Sequence, residues 1–255
     1  MELDNENTPC LRLPPPHNSI TLNIYRATDA PVLISMLNHP AVYMNLAGPP
    51  FPYLQEHHDS KIKELEADVA SVLKYLRESK FSNGNAKWAS AVPFTVIREV
   101  DEDTGQQTVL GDLVLRRSDF LYINDEKERE SMKSRNDNLE AGDSDIIWEI
   151  GCWFIFILNL GNLLTFAVSL VPTAHGRGIM TAVLDTLTKK WLVPYMNVHH
   201  MCGCYLEHNL ASRRVFEKCG WTFVKFEPDR IELPEAMTGI KGKYFGMGVM
   251  KWDRS

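Results

Sequence analysis

Two glycines one residue apart, Gly176 and Gly178 in "HGRGIM", open a stretch in which Ile179, Val183, Leu187 and Trp191 recur at helical spacing. Glycine weakens a helix, so a pair at its mouth points to unusual backbone torsions or to a close approach by another group. The first turn of a helix also presents unpaired N–H groups at the positive end of its dipole, a seat suited to phosphate. A tight strand-to-helix turn explains the glycines equally well. Two nucleotide-binding patterns are excluded. A Rossmann fingerprint needs a third small residue where Thr181 stands, and a Walker loop needs the absent Gly-Lys-Ser/Thr.

Around this turn the chain alternates strand-like and helical segments. "ITLNIYRAT" (Ile20–Thr28) reads as a strand, and Asp29 and Pro31 mark the start of a helix in "DAPVLISMLNH". Ile62, Leu65, Val69, Val72 and Leu76 share one face of a second amphipathic helix. "VPFTVIREV" and "TVLGDLVLRR" read as a hairpin joined by "DEDTGQQ". The polar segment near 123–145 lacks large apolar residues and reads as a mobile surface insertion. "IIWEIGCWF" and "HHMCGCYLE" are strand-like, "NLASRRVFEKCGW" is a helix closed by Gly220, and "WTFVKFE" and "YFGMGVMKW" are late strands. The fold class is α/β of the mixed α+β kind, one domain on a single sheet over 20–255, preceded by an extension at 1–19.

At 255 residues, a net charge of -6 and 44 % hydrophobic content, the chain suits a soluble domain and argues against bulk nucleic-acid binding. Five cysteines and an acidic, proline-rich start without a secretory leader point to a reducing compartment, cytoplasmic with the nucleus also open. "HHMCGC" holds four potential metal ligands, yet strand alternation separates His199 from His200, Cys202 and Cys204, so no metal is expected. One run stands apart. Phe154–Val171 is uncharged over eighteen residues, close to the lower limit for a membrane span, but Asn and Gly interrupt it and no basic cluster flanks it.

A second motif lies downstream: Asn209, Ser212, Phe216, then Gly220 and Trp221. With the glycine turn before it, the chain resembles the GNAT superfamily of acyl-CoA-dependent N-acyltransferases, nearest the group that includes bacterial ribosomal-protein N-terminal acetyltransferases. The likeness runs from about Leu11 onward. Both glycines match the cofactor motif, while Thr173 stands where the family usually has Arg or Gln. The resemblance implies a mostly antiparallel twisted sheet, splayed at two parallel strands, with helices on both faces. It implies acetyl-CoA as co-substrate, its diphosphate held at His175, Gly176, Arg177, Gly178, Ile179 and Met180, and its pantetheine at Asn209 and Ser212. The acceptor would be an amine, either a protein N-terminus or a small molecule.

Direct acetyl transfer needs a neutral amine, a stabilised oxyanion and a proton for the departing thiolate. Glu149, between Trp148 and Ile150, is the candidate base, because apolar neighbours raise a carboxyl pKa; Glu207 is a second candidate. Phe216 replaces the Tyr that many family members use as acid, which leaves Ser212 to bond the thiol sulfur. The segment Asp125–Asp145 and the Pro49–Pro52 loop are expected to shape the acceptor site. In the resembled group "EIG" and two aromatics run almost directly into the glycine turn, whereas about sixteen extra residues, 154–169, intervene here. They are a hairpin on the sheet, a membrane-associating element, or a translated intron absent from the functional protein. A chain lacking Phe154–Ser169 is expected to be the more active. Two other function classes remain open: a non-catalytic acyl-CoA-binding module and a membrane-anchored protein.

Overall fold

The structure is a computed structural model that describes residues 1–46, 48–79, 88–150 and 168–254. The strands β1 (Glu2–Leu3), β2 (Pro9–Arg12) and β3 (Ile20–Asn23) come first. The helices α1 (Ala30–Leu37), α2 (Pro40–Tyr43) and α3 (Gln55–Ser79) follow. Next are β4 (Val96–Val100), β5 (Gln107–Asp112) and β6 (Leu115–Arg117), then α4 (Glu126–Asn138). Strands β7 (Ile147–Ile150) and β8 (Ser169–Leu170) precede α5 (Ile179–Leu187), which continues through a π turn at Thr188–Leu192 into α6 (Val193–Met196). Strand β9 (His200–Leu206), α7 (Leu210–Lys218), β10 (Thr222–Leu233) and β11 (Lys243–Asp253) complete the layout.

The strands form two sheets, β1-β2-β3-β4-β5-β8 and β10-β11-β9-β7-β6. All pairs are antiparallel except β7 with β9, where Trp148 faces Met201 and Glu149 faces Cys202. The extension at 1–19 is built into the first sheet: β2 pairs with β3, and Cys10, Leu11 and Leu13 are buried. Alternation along β4 sends Ile97 to one face, against α5 and Trp191, and Val96 to the other, against Leu33 and Met36 of α1. Helices therefore cover both faces of the first sheet. Among the described residues, no helix is long and apolar enough to cross a membrane.

Asp29 stands at the N-cap of α1 without a side-chain bond into it. Its carboxylate is taken instead by Arg98 of β4 through two bonds of 2.6 Å, both partners buried, and by the Arg26 backbone N–H at 2.7 Å. The ion pair thus fixes where α1 leaves the sheet. Such a pair is costly to break from one side, because the remaining charge stays buried.

The polar segment near 123–145 is not a mobile insertion but carries α4. Asp125 caps it, accepting the Glu128 N–H at 2.8 Å, and the buried Asn136 exchanges bonds with both backbone groups of Ile147. Arg117 donates to the carbonyls of Asn136 and Leu139. This helix is docked through backbone hydrogen bonds rather than an apolar stripe, which is why its composition concealed it.

The apolar insertion lies mostly outside the described residues, but its two flanks are informative. Asp112 pairs with Ser169 and Leu115 pairs with Ile150, on chain segments that follow one another directly. Two residues separate Asp112 from Leu115, whereas eighteen separate Ile150 from Ser169. The second strand therefore carries sixteen residues more than its partner. Removal of residues 152–167 leaves both registers as they stand. Such a chain is expected to melt cooperatively with a Tm within about 4 °C of the full chain or above it, measured by calorimetry. A loss of cooperative melting would show that the interrupting segment is integral to the fold.

Candidate active site

Strand β8 pairs with β5 alone among the described residues, and β7 pairs with β9 only from His200 to Cys202. Beyond Cys202 the inner edge of β9 has no strand partner among the described residues. The two sheets part there. A cleft of about 370 Å³ opens in the gap, walled on one side by α2 and on the other by α5 and α7.

The glycine turn forms one end of this cleft. A 3-10 turn at Pro172–Ala174 leads to Gly176 (φ 73°) and Gly178 (φ 78°), the latter at the N-cap of α5. Both lie in the left-handed region, which side chains disfavour. A Cβ on Gly176 would meet nothing within 4 Å, so the backbone there faces open space. The turn thus offers free N–H groups at a helix N-terminus, a concavity suited to an anion. The His175 ring nitrogen Nε2 donates to the Leu170 carbonyl at 2.8 Å and pins the turn to β8. His175, Gly176 and Met180 line the cleft. Ile179 is buried in the core, leaving only its backbone to serve the turn, and Arg177 reaches Glu99 at 2.5 Å instead of the cleft.

The opposite wall begins at Asn209, whose side chain accepts the Ser212 N–H at 3.1 Å and caps α7. Both residues line the cleft, as does Phe216. The Phe216 ring lies so close to β9 that a Cβ on Gly203 would come within 2.8 Å of it. Sequence reasoning read this stretch as a strand and weighed its His and Cys as metal ligands, and did not single out Gly203. His208 was missed too. It lines the cleft, and its Nε2 donates to the Met44 carbonyl at 2.8 Å, tying the approach to α7 to the end of α2.

The expected acceptor-side segments are elsewhere. Neither Asp125–Asp145 nor the Pro49–Pro52 loop lines the cleft; Ala41, Val42, Asn45 and Leu46 do. Among the described residues, no group of three or more His, Cys, Asp or Glu side chains could hold a metal ion.

Glu149 sits beside the cleft rather than in it. Ile150 forms lining, while the Glu149 carboxylate is buried and accepts the Ser118 hydroxyl at 2.7 Å. Burial pushes its pKa up to about 7, against the opposing pull of Ser118 and the Arg116 guanidinium. The nearby Cys202 thiol is pushed well up by burial and the Glu149 charge, and burial raises Cys219 to about 11. Neither thiol ionises at neutral pH, so neither is an activated nucleophile; Cys152 lies outside the described residues.

The model of the acetyltransferase (GNAT) domain family matches residues 19–222. The chain belongs to the GNAT acetyltransferases. No curated protein sequence matches it significantly. Solved structures share the fold at low identity. RimL, a ribosomal L7/L12 alpha-N-protein acetyltransferase in complex with coenzyme A, is similar with a TM-score of 0.53 and 12% identity, covering 96% of this chain and 98% of that one. MccE, a microcin C7 self-immunity acetyltransferase in complex with acetyl-CoA and AMP, gives 0.51 and 14%, covering 93% of each chain. A GNAT-family acetyltransferase from Bacillus anthracis gives 0.50 and 10%, covering 96% and 98%. This GNAT chain thus has the family's splayed sheet, with its own interruption placed between the strand of Glu149 and the glycine turn.

A carboxyl with a folded pKa above its unfolded value takes up a proton on folding between those two values. For Glu149 the window runs from the ordinary 4.5 to about 7, and stability falls as pH rises through it. The urea midpoint is expected to drop from about pH 5 to about pH 8, and Glu149→Gln to flatten that slope. Parallel slopes in the two proteins would refute the burial of an ionisable carboxyl at this position.

Proposed function

We propose that this GNAT chain transfers an acetyl group from acetyl-CoA directly to a primary amine. The observation that carries the reading is the open glycine turn at one end of the gap between β8 and β9, with Ser212 facing that gap from α7. The residues present fit the co-substrate. Free N–H groups at 176–180 suit a diphosphate, with no Cβ at Gly176 to obstruct it. The edges of β8 and β9, without a strand partner among the described residues, offer amide and carbonyl groups at the spacing that a pantetheine arm pairs with. RimL and MccE, described above with coenzyme A and acetyl-CoA, support acetyl-CoA as the co-substrate. The alpha-N-protein activity in the RimL description favours a protein N-terminus among the amines.

Acetyl-CoA supplies the activated acyl group. The chain supplies the rest. Ser212 donates a hydrogen bond to the sulfur as it departs, in the place where Phe216 offers none, and the proton that neutralises the thiolate comes from the attacking nitrogen. Glu149, balanced near neutral pH, takes the proton of the amine through water, since Ile150 and not Glu149 lines the cleft. Arg177, held by Glu99, adds positive potential outside the turn rather than a direct contact.

Acetyl-CoA-dependent thiol release across a panel of amines and peptides tests the reading. Ser212→Ala is expected to lower kcat about tenfold, a loss of about 1.4 kcal/mol of transition-state stabilisation, with coenzyme binding intact. Glu149→Gln is expected to remove the rise of kcat with pH through about 7. Saturable coenzyme binding without thiol release to any amine would instead identify a binding module.

Coenzyme affinity has its own test at the turn. A valine at Gly178 must adopt a φ of 78° that a β-branched residue tolerates poorly. Titration calorimetry of Gly178→Val is expected to show a coenzyme Kd raised about tenfold or more. An unchanged Kd would exclude the turn as the diphosphate seat.

A further inference from the structure

A buried chain of three polar side chains runs from α3 to the floor of the cleft. Lys61 Nζ donates to Asp112 Oδ2 at 2.6 Å, and the Ser169 hydroxyl donates to Asp112 Oδ1 at 2.6 Å. Lys61, Asp112 and Ser169 are 5 %, 2 % and 5 % exposed. Ser169 alone of the three lines the cleft.

The direction of these bonds determines what Ser169 presents. A carboxylate paired with an ammonium has no proton to give, so the hydroxyl must be the donor to Asp112. A serine hydroxyl has one proton and two lone pairs. With the proton committed to Asp112, only lone pairs remain for the cleft. The site therefore accepts a hydrogen bond and cannot offer one.

The face is equally well defined. Asp112 is the cross-strand partner of both Val96 and Ser169, and partners across a ladder point to the same side. Val96 packs against Leu33, Met36 and Val42, on the α1–α3 face. Leu170 points the other way, toward the core of α5 and Trp191. The glycine turn and Ser212 approach through α5 and α7, whereas Ser169 faces the wall made by α2.

We infer that Ser169, with its proton fixed by Asp112 and Lys61, is the group that receives an N–H of the acceptor amine on the α2 side of the cleft. This rests on the transfer reading for its substrate class. An amine, neutral or protonated, has N–H donors to offer, and an ether or carbonyl group has none. Ser169 thereby favours a group with a donor hydrogen, as an amine has, over an ether or carbonyl, and Asp112 and Lys61 are positioning residues that act through it.

The test separates binding from transfer. Coenzyme A-loaded protein is titrated with a peptide bearing a free N-terminus, a polyamine and an amino sugar. Wild type is expected to bind at least one of them, and Ser169→Ala to bind it about tenfold more weakly, with the coenzyme Kd within about twofold. In turnover the same variant is expected to raise the acceptor KM far more than it lowers kcat, and Ser169→Thr, which keeps the hydroxyl, to restore it. Asp112→Leu combined with Lys61→Met removes the acceptor of the hydroxyl proton without stranding a charge and is expected to weaken amine binding as Ser169→Ala does. Unchanged amine affinity in Ser169→Ala, a loss of coenzyme affinity instead, or no amine bound by wild type overturns the inference. Amine binding with no thiol release leaves it standing and removes the transfer reading.

Discussion

Among the described residues no hydrogen-bonded ladder joins β8 to β9, and that gap is the constraint on which the site depends. Parallel pairing of β7 with β9 brings the two sheets together, and among the described residues it runs from His200 to Cys202. Backbone groups past that point need partners, because unpaired amides and carbonyls away from water are expensive. A ligand with its own amides can supply them. The same parting brings the N-termini of α5 and α7 to one opening, so the anion seat and Ser212 share a cleft without any loop having to move.

Two buried carboxylates organise the polar groups around this gap. Asp112 joins Lys61 to Ser169, and Glu149 joins Ser118 to the neighbourhood of Cys202. Both carboxylates lie on strands beside the interruption, yet their surroundings differ. An ammonium at 2.6 Å accompanies Asp112. Glu149 depends mainly on a hydroxyl and is driven toward its neutral form by burial. Two acids, one on each sheet, thus sit in different electrostatic surroundings.

The motifs that are local in the chain were legible in the sequence. The glycine turn, the cap at Asn209, Gly220 at the end of α7 and the amphipathic spacing of α3 and α5 all act within a few residues. Asn209 does accept from Ser212, three positions on, as its spacing suggested. The raised pKa of Glu149 was legible as well, from Trp148 and Ile150 beside it. What escaped was non-local. Lys61 lies 51 residues from Asp112, and Ser169 lies 57 from it, so no window of sequence contains the chain of bonds. Asp29 looks like a simple cap because Arg98, its true partner, is 69 residues away. The α4 segment was misread for a related reason: Asn136 docks it through two bonds to Ile147, and apolar periodicity carries no trace of such bonds.

The second sheet ends in β10, which bears exposed Phe223, Val224 and Phe226 and meets β11 with register breaks between Phe223 and Lys225 and between Glu227 and Ile231. A straight, apolar border of this length would be a template for a foreign strand. The two breaks bend that border, Lys225 sets a charge between its aromatic rings, and Asp229 turns to a φ of 46° within the second break. Irregularity at the rim thus acts as a safeguard against fibrous stacking.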